Sequence, residues 1–140
     1  MRLLSFLAVT ILLQVLLCAG ARGQGICVHG GLVVSRVAGR VVAQLDKGET
    51  PLHDITVKIL NRKGRVIARS VTRDDGLFNF DDTLKPGKYV LDVSYKRSLA
   101  TYTGSLEVTR SKPNVPRKNI VVTLGADFVH PCGGTHAELR

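Results

Sequence analysis

The chain has 140 residues, 44% of them hydrophobic, and carries 20 Lys and Arg against 11 Asp and Glu, for a formal net charge of +9. That length holds one domain with a real core and leaves little beyond it. The charge excludes an acidic carrier and suits anionic partners such as phosphate-rich glycolipid, acidic polysaccharide or nucleic acid.

Met1 and Arg2 give a positive start, the stretch from Leu3 to Leu17 is almost wholly apolar, and Ala19-Gly20-Ala21 places small residues where signal peptidase cuts. Residues 1–21 are therefore expected to be a cleaved secretory signal, leaving a secreted or periplasmic product. Nothing later is long and apolar enough for a span of about 20 residues. Cys18 follows an apolar run, as lipid-attachment cysteines do, but Leu17 stands where that processing wants a small residue. The sequence therefore argues against lipid anchoring.

Residues 22–35 form an N-terminal segment without a clear period. Residues 37–45 predict a first strand, with Val37, Gly39, Val41 and Ala43 on one face. Lys47-Gly48-Glu49-Thr50-Pro51 predicts a loop, because Gly and Pro both interrupt a ladder. Ile55, Val57 and Ile59 alternate with Thr56, Lys58 and Leu60 in a second strand, Asn61-Arg62-Lys63-Gly64 turns the chain, and residues 65–72 return. Asp75-Gly76 suits a tight turn before a fourth strand at 77–80, where Phe78 and Phe80 alternate. Pro86-Gly87 leads into a fifth at 88–95, followed by a sixth at 100–109. Lys112-Pro113-Asn114-Val115-Pro116 forbids a regular strand, and Ile120, Val122 and Leu124 mark a seventh. Seven short strands at regular intervals predict an all-β, seven-stranded Greek-key β-sandwich over residues 36–124, with 125–140 as a tail.

The order Gly39-x-Val41, Pro51-Leu52-x-x-Ile55-x-Val57, Thr72-x-x-Asp75-Gly76-x-Phe78-x-Phe80 and Leu84-x-Pro86-Gly87-x-Tyr89-x-Leu91-x-Val93 resembles the carboxypeptidase regulatory-like domain family. Arg73 departs from that family, which often has an acidic residue after the threonine. The resemblance implies a prealbumin-like (transthyretin-like) sandwich that serves as a folding, spacing or binding module rather than as a catalyst. A dimer through edge strands is an analogy with transthyretin-like proteins. A prealbumin-like enzyme that hydrolyses a urate breakdown product shares this fold, but its Tyr-Arg-Gly-Ser motif is absent from the chain. Neither an enzyme nor a cofactor is expected.

Cys27 and Cys132 remain once the signal is gone, and in an oxidising compartment such a pair is expected to form a disulfide. Closing a loop of roughly 100 residues stabilises by about 4–5 kcal/mol in the chain-entropy view. An alternative reading notes their neighbours His29, His130 and His136, because thiolate and imidazole suit zinc or copper. Cys-x-His and His-x-Cys match no established zinc spacing.

Asp74, Asp75, Asp81 and Asp82 lack the alternating pattern of a calcium loop and read as turn formers. Arg62, Lys63, Arg65, Arg69 and Arg73 cluster around the predicted turn and its return strand, making a basic hairpin. Such residues also keep a sheet edge from pairing with another. The expected function is an exported, non-catalytic binding or structural module. Its partner would be another protein or an anionic polysaccharide or glycolipid surface. Nucleic acid is disfavoured, because the few aromatics sit at core-facing positions. The alternative is a metal-handling extracytoplasmic protein.

Overall fold

Apolar residues recur at every second position in most strands, so each strand turns one side to a common interior. Leu32 and Val34, Tyr102, Leu106 and Val108, Leu91 and Val93, and Val57 and Ile59 form one wall of it. Val37, Val41, Phe78, Phe80, Ile120, Val122 and Leu124 form the other. The computed structural model describes residues 28–45, 48–80, 84–95, 101–111, 114, 116–125 and 134–140, with residues 28 and 29 by their backbone alone.

The described residues form ten strands: β1 (Val28–Val34), β2 (Ala38–Leu45), β3 (Gly48–Pro51), β4 (Thr56–Leu60), β5 (Val66–Val71), β6 (Leu77–Asn79), β7 (Gly87–Ser94), β8 (Thr101–Val108), β9 (Ile120–Leu124) and β10 (His136–Leu139). They make an all-β sandwich of two sheets. One has the order β1-β8-β7-β4-β5; the other has the order β10-β9-β2-β3, with β6 also pairing with β2. Two contacts are parallel, β1 with β8 and β2 with β9, and the others are antiparallel. No helix among the described residues is long and apolar enough to cross a membrane.

Each of the seven expected strands is present, to within a residue or two at its ends. Three further strands lie where sequence patterning is weak. β1 falls in the expected N-terminal segment. Its Gly30-Gly31 pair gives no side-chain signal and coincides with a register shift against β8. β3 replaces the expected loop; Gly48 has φ +118° and Pro51 closes the strand on a sheet edge, where no ladder N–H is required. β10 falls in the expected tail, and its four residues offer only Ala137 and Leu139 to the core. The sandwich thus extends beyond residues 36–124 at both ends.

Tight contacts explain two sequence signatures. Gly76 (φ +73°) closes the aspartate turn: its N–H donates to the Arg73 carbonyl at 2.8 Å, and its carbonyl accepts the Val41 N–H at 2.9 Å. A Cβ there would lie 2.6 Å from the Val41 oxygen. This turn does not close a hairpin: it carries the chain from β5 in the first sheet to β6 in the second. At the Pro86-Gly87 corner the Tyr89 hydroxyl donates to the Lys85 carbonyl at 2.9 Å, fixing the bend that feeds β7.

The topology also places the starts of β1 and β10. A three-residue link joins the end of β1 to the start of β2, which lies beside the starts of β9 and the end of β10. The starts of β1 and β10 therefore share the opposite end of the sandwich, and the two strands are in contact along one rim.

Candidate interaction surface

Strands β4 and β5 form the expected basic hairpin. Asn61 organises its tip: the side-chain oxygen accepts the N–H groups of Lys63 (2.9 Å) and Arg65 (3.0 Å). The Asn61 N–H donates to the Arg65 carbonyl at 2.9 Å, and its own carbonyl accepts the Gly64 N–H at 2.9 Å. Gly64 turns with φ +73°. These local bonds present Arg62 and Lys63 to solvent on a defined loop.

Arg62, Lys63, Arg65, Arg69 and Arg73 are all exposed, and none is ion-paired to a carboxylate among the described residues. The structure therefore brings the five predicted residues to one rim of the sandwich. It adds what the charge pattern could not show, an apolar component on the same rim. Val66, Ile67, Val71 and Leu77 are 54%, 47%, 47% and 49% exposed. Val66 and Ile67 are both uncovered because the register of β5 against β4 slips there, two residues answering Leu60.

One row of side chains crosses the outer face of the first sheet, Thr103, Asp92, Lys58 and Arg69 on neighbouring strands. Asp92 serves both Lys58 (Oδ2 to Nζ, 3.3 Å) and Thr103 (Oγ1 to Oδ1, 3.2 Å). Arg69 stands directly opposite Lys58, so the row ends on two cations and one carboxylate already engaged.

A second charged group occupies the other sheet. Glu49 on β3 receives Arg140 at 2.6 Å and Arg40 at 3.0 Å, and Arg140 also pairs with Glu138 of β10. The Arg140 guanidinium, aided by Arg40 and His136, holds the Glu49 carboxyl below its ordinary range. Burial pushes the Tyr102 phenol up.

The remaining predicted sites are placed as follows. Cys27, His130 and Cys132 lie outside the described residues, as do Cys18, Asp81 and Asp82. His29 is described as backbone in β1, opposite Gly104. His136 is exposed at the start of β10, its Nδ1 2.9 Å from the Gly134 carbonyl. Among the described residues no three His, Cys, Asp or Glu side chains gather as metal ligands would. Asp74 and Asp75 are exposed, and Asp75 accepts the Leu77 N–H at 3.0 Å, as a turn former does.

Residues 35–123 match the sequence profile described as BOS complex subunit NOMO1-like, second beta sandwich domain. No curated protein matches the chain. Among solved structures, the crystal structure of (S)-allantoin synthase is similar over 76% of this chain at 13% identity, with a TM-score of 0.42. The chain covers 45% of that structure's length.

Proposed function

Because the chain belongs to the family described as BOS complex subunit NOMO1-like, second beta sandwich domain, we propose that it acts as a non-catalytic extracytoplasmic β-sandwich module that holds a partner at the β5 rim. One observation carries this reading. Five exposed cations without carboxylate partners among the described residues, Arg69 on the edge strand β5 and the others on the segments that flank it, lie with Val66, Ile67 and Val71 on one rim. Such a rim combines long-range attraction with apolar area that water leaves on contact. The apolar leader of residues 1–21 supports the extracytoplasmic placement. The part of the reading drawn from carboxypeptidase regulatory-like domains is the role itself, a spacing or binding unit.

The same reading includes a Cys27–Cys132 disulfide. It is supported by the shared end of the sandwich at which β1 and β10 begin, one residue after Cys27 and four residues after Cys132. Zinc or copper held by these cysteines with His29, His130 and His136 is the competing reading of that end.

The test of the basic rim is retention on immobilised heparin as salt is raised. Wild type should elute well after a variant with Arg62, Lys63 and Arg65 changed to Ala, and the difference should shrink with salt. Equal elution of the two proteins rejects the rim as a binding surface.

A further inference from the structure

Resting on the β5 rim as the binding surface, we propose that its partner is an extended acidic segment of another protein. This segment pairs with β5 as an added antiparallel strand, setting one carboxylate opposite Arg69 between two apolar side chains.

The backbone supplies the first part of the argument. Among the described residues strand β5 ends its sheet, and one side of it has no neighbouring strand there. The Thr72 N–H bonds to the Ile55 carbonyl at 3.0 Å, and the register continues with Ser70 opposite Val57 and Ala68 opposite Ile59. Antiparallel alternation then turns the polar backbone groups of residues 68, 70 and 72 toward β4, and those of Arg69 and Val71 outward. An incoming residue opposite Arg69 can exchange both N–H and carbonyl bonds with it.

The side chains supply the second part. Arg69 and Val71 share the outer face of the sheet, with Ile67 exposed beyond Arg69. Arg69 already faces Lys58 on its inner side, and Asp92 is occupied by Lys58 and Thr103. The vacant place in this row lies outside Arg69, where a carboxylate would complete an alternation of charge across the strands. The matching ligand reads apolar, any, acidic, any, apolar, with its apolar residues against Val71 and Ile67. Arg62, Lys63, Arg65 and Arg73 extend the field at both ends. Basic residues on an edge repel the edge of a second copy and so guard against self-pairing. The same residues attract a strand of opposite charge. The slip at Ile67 limits the regular edge to about four residues, so a short ligand suffices.

The experiment uses the full chain, isotope-labelled and followed by NMR. It is titrated with the peptide Ser-Val-Ser-Glu-Ser-Val-Ser blocked at both ends, with heparin retention measured on the same preparation. Shifts confined to the amides of β5 and the hairpin are expected. Dissociation constants should rise at least tenfold when Glu in the peptide is N-methylated or replaced by Lys. In the protein, Val71→Pro removes one outward N–H, and Arg69→Glu reverses the charge; each should weaken binding by a similar factor. The N-methylated peptide keeps the test decisive even if a variant fails to fold. Equal binding of methylated and unmethylated peptides overturns strand addition and leaves the basic rim standing. Heparin retention without peptide binding does the same. Failure of both probes overturns both readings. Self-association abolished by Val71→Pro, without peptide binding, makes a second copy the occupant and overturns the proposal.

Discussion

The phenol of Tyr102 lies over Gly104, two residues along the same face of β8, so close that a Cβ at residue 104 would fall 2.2 Å from the hydroxyl oxygen. The glycine is thus the space in which the largest fully buried side chain of the core is housed. Gly104→Ala should destabilise the fold by about 1–3 kcal/mol, the usual cost of overpacking. Urea denaturation measures it, and an unchanged midpoint would show that the ring can move aside.

Thr72 joins β5 to the loop before β4 through one hydroxyl. Its Oγ1 accepts the Ile55 N–H at 3.0 Å and donates to the Leu52 carbonyl at 2.7 Å, in a residue that is buried. Thr72→Val keeps the shape but strands both backbone groups, at about 1–3 kcal/mol. Thr72→Ser should retain most of the stability, as thermal or urea unfolding of the pair would show.

The Glu49 carboxyl sits below its ordinary value because it pairs with Arg140 and then Arg40. A depressed folded-state value means that the unfolded chain takes up the proton first as pH falls. The stabilisation is therefore complete above the ordinary value of 4.5 and is lost as pH falls from there through the folded-state value. Glu49→Gln should flatten that part of the acid-unfolding curve. Identical acid transitions in wild type and variant would remove the pair from the stability balance.

The protein recovered from its native compartment without reductant is expected to weigh two hydrogens less than the fully reduced chain beginning near Arg22, and to carry no metal. Reduction should then lower stability by up to about 4–5 kcal/mol, less if the bridge is strained. A metal-bearing mass with both thiols reduced would put Cys27 and Cys132 in a metal centre instead.

Strands that bury one face were legible because alternation of side chains is itself the physical cause of their burial. This is why Val57, Ile59, Leu91 and Val93 could be placed from their spacing alone. Strands β1, β3 and β10 were not legible, since two of them carry glycine or proline and the third is four residues long. Their pairing is decided by neighbours distant in sequence. The basic cluster could be read as charge, but its value as a surface could not. The exposure of Val66 and Ile67 comes from a register slip, and no local pattern encodes which side of a sheet is left without a neighbour. The aspartate turn was legible as a turn, whereas its passage between sheets depends on the Gly76–Val41 contact across the core rim.

The parallel pairing of β1 with β8 and of β2 with β9 has a consequence in time. Val34 must wait for Val108, and Gly39 for Ile120, before either early strand acquires that neighbour. A chain emerging with its N-terminus first would hold β1 without its partner strand, and one side of β2 open, until most of its length had followed. Loop closure over such separations slows folding and prolongs exposure of sticky edges. The cations of the β4–β5 hairpin, which can form early because its contacts are local, would then keep growing chains apart during that interval.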